Sequence, residues 1–546
     1  MKELPGKPFL TENFSPKGGG IDFLGLRWVN LGIVGSYLLP EINNVTRDMG
    51  MFCLAGWIPW KFQELTANAP QCTEKNYRVF RQAVEVAISY QFRDGSTATK
   101  EFGAARNRVG VTQKLKLPGS LTFDKANRSE SNSLYAPAIY GPAVRYLGMV
   151  KNYYRLNKDL ISLNIPIPND DKDATTICET VDATLRRSHS YSKLLRLNPE
   201  PATEDDLESL GRHGLHPVYY RLSGSTELKA AFRRRLLPDD PSNSGYPRTR
   251  TARLILATLE QQDNLTPFEL RDTWYTDLFP GGKRTKWETT EVATQRRHWA
   301  LFMARQYQRQ ALEALFVCFE NALLAKCRAL DAVVDYWLKN AGNDHGEWPK
   351  TFGDLLEGVT ADAGIPKQSN DEGASHAWNR RIHPDHPHFE YDQTLEQSLS
   401  CLAACRLLGK WFWRMQSWAR DVENRELMDL GGSDRLGMNW FLGWLADRRT
   451  FTMRAFLHDV FSTLVFAQHM RVALSRFDGR VQRLRFMLGD HGIEPTAGIT
   501  DTGERGVPWM PDRLDAFVNL LVDVNVLDQD TDGKIRPGKS ARRVQG

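Results

Sequence analysis

The 546-residue chain is poor in the residue patterns that common chemistries need. It contains no G-x-x-x-x-G-K-[ST], G-x-S-x-G, H-E-x-x-H or G-x-G-x-x-G. Gly281-Gly282-Lys283-Arg284-Thr285 lacks the first glycine of a phosphate loop and the hydroxyl directly after the lysine. Asp170-Asp171 and Asp239-Asp240 stand in polar loops without an accompanying strand and lysine, so they read as turn formers. Cysteine is scarce and odd in number, seven residues with no C-x-x-C pair. Several lie on apolar helical faces, which reads as buried free thiols in a reducing cytosol. No apolar run is long enough to cross a bilayer; Trp28 to Pro40 is too short and is interrupted by Asn30. The start, MKELPGKPFLTEN, lacks the basic and apolar regions of a secretory signal. A cytoplasmic protein with no membrane association is expected. Charge of one sign is also missing: the net value of +5 leaves room for local basic patches but demands no polyanion.

What is present is aromatic and apolar mass, with 15 Trp and 26 Phe and 41% hydrophobic residues. The expected class is mainly α, a multi-domain helical protein with long central helices and a small winged-helix-like C-terminal module. Val45, Met49, Phe52, Cys53, Gly56 and Trp60 keep helical spacing, with Asn43, Asn44 and Thr46 as cap oxygens and Pro59 expected to kink or end the helix. Leu312 to Trp337 predicts one helix over 296–339, closed at Asn340. Two more long helices are predicted over 391–426 and 450–477. Polar stretches at 94–135, with a hairpin near 111–117, at 164–175 and at 238–250 read as loops. The organisation expected is an N-terminal helical domain with long basic loops (1–150), a helical middle domain (151–290), a long-helix bundle (291–479) and the C-terminal module (480–546). In that module Val481–Ile493 reads as a short helix. Pro511 opens a second helix, and Asp532-Gly533 turns a hairpin.

Three constellations carry possible chemistry. His376, His383, His386 and His388, interleaved with Asp385, Glu390 and Asp392, offer zinc-type ligands. Pro384 and Pro387 make this an extended loop, and no second half-site completes it, so no metal and no cofactor is expected. Asp528, Asp530, Asp532 and Gly533 match the first half of a calcium loop, but position 12 is Lys539 and position 10 is Pro537. An acidic hairpin tip is the expected reading. Third, positive charge gathers at Arg233, Arg234 and Arg235, and at Lys534, Arg536, Lys539, Arg542 and Arg543. These eight residues are the candidate nucleic-acid contacts, against the alternative of a solvated surface and tail.

The blocks Gly20-Ile21-Asp22-Phe23-Leu24-Gly25-Leu26, Leu39-Pro40-Glu41-Ile42-Asn43-Asn44-Val45-Thr46 and Leu134-Tyr135-Ala136-Pro137-Ala138-Ile139-Tyr140-Gly141-Pro142 resemble a family of uncharacterised bacterial proteins. These accompany large helicases in phage-defence gene clusters. Length and helical character are similar to the DruB family of type I Druantia systems. The resemblance covers mainly the first 150 residues. It implies an accessory role in antiviral defence beside a large helicase, and it transfers no catalytic residue. The expected function is therefore a non-enzymatic scaffold or adaptor that contacts DNA. A divergent metal-dependent nuclease and a DNA-binding sensor remain as alternatives.

Overall fold

The computed structural model describes residues 22–42, 48–66, 73–91, 144–145, 147–153, 166–210, 225–280, 283–287, 289–340, 347–362, 399–429, 435–477, 484–496, 507, 510 and 512–545. The protein is mainly α. The helices used below are α1 (Leu26–Ile33), α2 (Met49–Thr66), α3 (Glu74–Gln91), α4 (Lys172–Leu185), α5 (Thr226–Leu236), α6 (Tyr246–Gln261), α7 (Thr290–Leu324), α8 (Leu330–Lys339), α9 (Cys401–Trp418), α10 (Gln468–Ser475), α11 (Leu514–Asp523) and α12 (Arg542–Gln545). Strands form three separate antiparallel pairs: β1 (Val150–Tyr153) with β2 (Pro166–Pro168), β3 (Phe486–Gly489) with β4 (Gly492–Pro495), and β5 (Leu527–Gln529) with β6 (Ile535–Pro537). Two compact units result, each discontinuous in sequence. The first is built from 1–34 and 268–510, the second from 35–267 and 511–546.

The first unit is organised around α7, a 35-residue helix opened by Thr289, whose hydroxyl accepts the Val292 N–H at 3.3 Å. It is packed by α1, α8, α9 and β4. Trp411 Nε1 donates to the Ala304 carbonyl at 2.9 Å, and Trp337 Nε1 to the Cys318 carbonyl at 2.8 Å. Because so much of its circumference is buried, polar residues are buried with it. Arg309 pairs with Glu313 at 2.6 Å, and Glu313 also takes Arg27 of α1 at 2.7 Å. Arg305, fully buried, donates to the Leu436 carbonyl at 2.8 Å and to Gln308 Oε1 at 2.9 Å. A buried ring cluster closes one end: Phe23 stacks on Phe316 at 5.2 Å, and His469 meets Phe486 at 4.7 Å.

In the second unit α2 packs on α3 and α4, and α4 on α5. Trp57 Nε1 donates to Asp182 at 3.2 Å. The first N–H of α2 is capped from far along the chain, by Asp523 Oδ2 at 2.9 Å. Ile535 of β6 bridges back to Leu265 beyond α6.

Several expectations need correction. The predicted 296–339 helix is two, because Lys326 takes a left-handed φ of 66° between α7 and α8. The 391–426 pattern begins at Cys401, with Ser400 as its cap, and breaks at 419–421 before a helix over Val422–Met428; residues 391–398 lie outside the described chain. The 450–477 segment is helical from Met453, but Val460–Ala467 is wound as a π-helix. Pro59 does not end α2, which continues to Thr66 with Trp57, Ile58 and Phe62 buried. Packing of that apolar face outweighs the lost backbone bond. The predicted helix over 481–493 is instead the β3–β4 hairpin from Phe486 onward. Gly492, at φ 103°, lies so close to the Arg328 carbonyl that a Cβ would come within 2.5 Å, and the Ile493 N–H donates to that same carbonyl at 2.8 Å. The helix expected from Pro511 starts at Leu514, behind Arg513 at φ 74°. The β5–β6 hairpin forms as expected. Cys53, Cys178, Cys318, Cys401 and Cys405 are buried free thiols. The loop at 94–135, its hairpin, the cap oxygens of 43–46 and the histidines of 376–388 lie outside the described residues. Among the described residues no helix is long and apolar enough to cross a membrane.

His469 makes the first unit sensitive to acid. Its Nδ1 faces the Phe23 carbonyl at 3.2 Å, while Nε2 accepts the Arg485 N–H at 2.9 Å. That pattern requires the neutral ring, and burial lowers its pKa to about 4. Above pH 6.5 the ring is neutral folded or unfolded. Below it the unfolded chain binds the extra proton first, so stability falls as pH drops from about 6.5 towards 4, by on the order of 3 kcal/mol. Denaturant midpoints across this window should fall for the native chain and flatten in H469Q.

Candidate nucleic-acid interface

The three consecutive arginines sit in the last turn of α5, where cations complement the helix dipole. Ser225 caps the helix, accepting the Leu228 N–H at 3.2 Å, and Leu228, Ala231, Phe232 and Leu236 are buried. Neighbouring residues on a helix point about 100° apart, so the three guanidinium groups part company.

Arg235 turns inward. Its Nη1 donates to the carbonyls of Leu147 at 3.1 Å and Gly148 at 2.6 Å, and it pairs with Asp171. Arg234 reaches Asp173, with Nε 3.0 Å from Oδ2. Both carboxylates belong to the start of α4. Asp171 is its N-cap, accepting the N–H groups of Asp173 and Ala174 at 3.0 Å. Burial works against its charge, but Arg235 and those N–H groups hold the Asp171 carboxyl below its usual range. These side chains line a cleft of about 430 Å³ with Lys172, Pro238 and Asn243. Beneath it Arg248, fully buried, donates to the carbonyls of Leu236 at 2.8 Å, Pro40 at 3.0 Å and Arg235 at 3.2 Å, and pairs with Glu41. It closes the C-terminus of α5.

Arg233 faces another way. It is half-buried, and its pKa is lowered by burial and by the nearby charges of Arg543 and Arg234. Arg543 arrives from 310 positions along the chain because the basic tail is docked. The Gly538 N–H donates to the Val526 carbonyl at 2.9 Å, and the Ser540 N–H to the Asn525 carbonyl at 2.8 Å. Lys229 of α5 donates to Asn525 Oδ1 at 2.9 Å, and Arg253 of α6 to the Val544 carbonyl at 2.9 Å. Ala541 and Val544 are buried while Arg542 and Arg543 are exposed. Among the described residues no ion pair joins Arg233, Arg542 or Arg543 to a carboxylate. Like charges held together with no opposite charge are a place where a polyanion lowers the energy.

The remaining candidates lie on the hairpin. Lys534 and Lys539 are exposed; Arg536 is 3.9 Å from Asp528. The acidic tip is internally satisfied, since Asp530 Oδ1 accepts the N–H groups of Asp532 at 3.0 Å and Lys534 at 2.9 Å. The eight candidates therefore divide: Arg233 and Arg543 converge, Arg542 and Lys539 share the docked tail, Lys534 and Arg536 stay on the hairpin, and Arg234 and Arg235 are committed to α4. The supporting Lys229, Arg248 and Arg253 carry no local sequence signal, because their partners are remote in the chain. Among the described residues no group of three His, Cys, Asp or Glu side chains could hold a metal ion. No family model, curated protein or solved structure matches the chain.

Docking of the tail rests on Val544 and Arg253. Val544→Asp should undock α12 and raise the rate of tryptic cleavage after Arg542 and Arg543 by about tenfold, while the rest of the digest keeps its pattern. Mass spectrometry of a timed digest reads this directly.

Proposed function

We propose that this chain is a non-enzymatic helical adaptor that contacts nucleic acid through the arginine surface of its second unit. In this reading α11 and the β5–β6 hairpin act as a winged-helix-like module in a bacterial antiviral defence system, beside a large helicase, in the cytoplasm. The observation that carries it is that Arg543, brought by the docked tail from a distant part of the chain, lies near enough to Arg233 for its charge to lower the Arg233 pKa. The resemblance of the N-terminal blocks supports the helicase partnership, and the absence of catalytic motifs from the sequence supports an accessory role.

The surface offers guanidinium groups without a built base-reading geometry, so binding is to phosphate and tolerant of sequence. Fluorescence anisotropy with a labelled duplex tests this. Arg233→Ala with Arg543→Ala should weaken binding about tenfold and make the salt slope shallower by about 2. Asp173→Asn frees Arg234 from its ion pair and should strengthen binding roughly twofold to fivefold. An unchanged affinity and slope in the double variant would sink the nucleic-acid contact. Co-purification with the helicase encoded beside it tests the partnership separately.

A further inference from the structure

The cleft between the first turn of α4 and the last turn of α5 keeps donors in excess once its own pairs are counted. Asp171 uses one carboxylate oxygen: Oδ1 accepts the N–H groups of Asp173 and Ala174 and pairs with Arg235 Nη2. Asp173 takes Nε and Nη2 of Arg234. Arg234 Nη1 is left over. So is the exposed ammonium of Lys172, which has no partner among the described residues. Asn243 Oδ1 accepts the Gly245 N–H at 2.8 Å, so its amide N–H groups are also open. The Nε of Arg235, buried in the wall, has no acceptor among the described residues. Against these donors stands one open side-chain acceptor, Asp171 Oδ2.

Charge, size and lining then define the ligand. Lys172, Arg234 and Arg235 carry three positive charges against two on Asp171 and Asp173, while Arg248 is matched by Glu41. The excess charge is positive, so the ligand is an anion. The volume of about 430 Å³ falls within the range of about 300–1,000 Å³ for small-molecule sites. Gly148, at φ 67°, keeps the floor open, because a Cβ there would come within 2.5 Å of Arg235 Nη1. An ammonium, a guanidinium and an amide on three separate stems suit the three oxygens of a phosphate better than the two of a carboxylate. No aromatic side chain lines the cleft, and its apolar wall is only Leu147 and Pro238. A nucleobase finds no ring to stack on. The hydroxyl groups of a sugar find Asp171 Oδ2.

We propose that this cleft is a binding site for a small sugar phosphate, its phosphate held by Lys172 and Arg234 and a hydroxyl by Asp171. The site uses neither Arg233 nor Arg543, so it stands apart from the nucleic-acid contact. Isothermal titration calorimetry of the full chain with ribose 5-phosphate, at low ionic strength, is expected to give a Kd of about 1 mM or tighter, as for a ligand of this size. Ribose alone should not bind. Lys172→Ala should weaken ribose 5-phosphate about tenfold, the loss of one charged hydrogen bond. Lys172 is exposed and unpaired, so that variant keeps its fold, and circular dichroism checks this. Arg233→Ala with Arg543→Ala should leave the affinity unchanged. Absence of binding up to about 10 mM ribose 5-phosphate overturns the proposal. So does an unchanged affinity in Lys172→Ala, or a loss of affinity in the Arg233/Arg543 double variant, which would move the phosphate to the other surface. Adenosine 5′-monophosphate carries the same ribose phosphate with a base attached and should bind no tighter. A gain of more than about tenfold from the base overturns the sugar-phosphate assignment, since that is the worth of a stacking ring.

Discussion

Burial of α7 on nearly every side is the constraint from which the first unit follows. A helix of 35 residues cannot find apolar residues for its whole circumference and still carry the sequence this one has. Gln295, Arg305, Gln306, Gln308, Arg309, Gln310 and Glu313 are all buried with it. Each brings a polar group that must be satisfied, or it costs about 1–3 kcal/mol. Much of that satisfaction comes from the segments packed around the helix, although the Oε1 atoms of Gln295 and Gln310 accept no hydrogen bond among the described residues. Gln306 Nε2 donates to the Met510 carbonyl at 2.6 Å, Gln310 Nε2 to Val507 at 3.3 Å, and Arg305 to Leu436 at 2.8 Å. The polar residues of α7 therefore specify where the irregular chain at 435–436, 507 and 510 must lie. An all-apolar helix would bury as well but would fix these segments less uniquely.

Buried arginine is the common device in both units, and it acts mainly on carbonyl oxygens. Among the described residues Arg305 has no carboxylate partner; burial lowers its pKa to about 10, which still leaves it charged at neutral pH, held by carbonyls and Gln308. Arg414 donates to the Tyr275 carbonyl at 2.5 Å. Arg248 serves three carbonyls and Glu41. One guanidinium carries five donors in a fixed plane, so it can close a helix end and anchor a loop at once. Arg248, Arg305 and Arg414 thus spend their charge inside the fold. That structural use contrasts with Arg233 and Arg543, which pair with no carboxylate among the described residues.

Legibility from sequence followed the range of the interactions. Elements set by local periodicity were readable: the apolar faces of α7, α9 and α11, and the Asp532-Gly533 turn of the last hairpin. What was not readable depended on remote partners. The 486–495 segment has Gly489 and Gly492 as punctuation, which reads equally as a helix stop or a hairpin turn. The Arg328 carbonyl, over 160 residues away, decides it. Pro59 signals a helix end, yet the buried neighbours Trp57, Ile58 and Phe62 carry α2 past it. Among the arginines, a run of three looks like one patch. Only the positions of Asp171, Asp173 and Arg543 sort it into two structural residues and one that faces its like.

That sorting also limits what the second unit can be. A surface made by two distant segments forms only when both are folded and docked, so its charge density is a property of the native state rather than of the tail's composition. A free basic tail of the same sequence would sample many arrangements and spread its charge over them. Fixing Arg543 against Arg233 costs repulsion, which the buried Ala541 and Val544 and the Arg253–Val544 hydrogen bond must offset. Apolar burial of two side chains is worth about 1–3 kcal/mol in total, which exceeds the repulsion expected between a half-buried and an exposed guanidinium group. The docked arrangement therefore holds against that repulsion, helped by the backbone bonds of Gly538 and Ser540, and a polyanion that neutralised both guanidinium groups would remove the opposing term. Were the proposed binding to occur at this surface, it and order in the tail would be coupled by that cancellation, each strengthening the other by the same free energy.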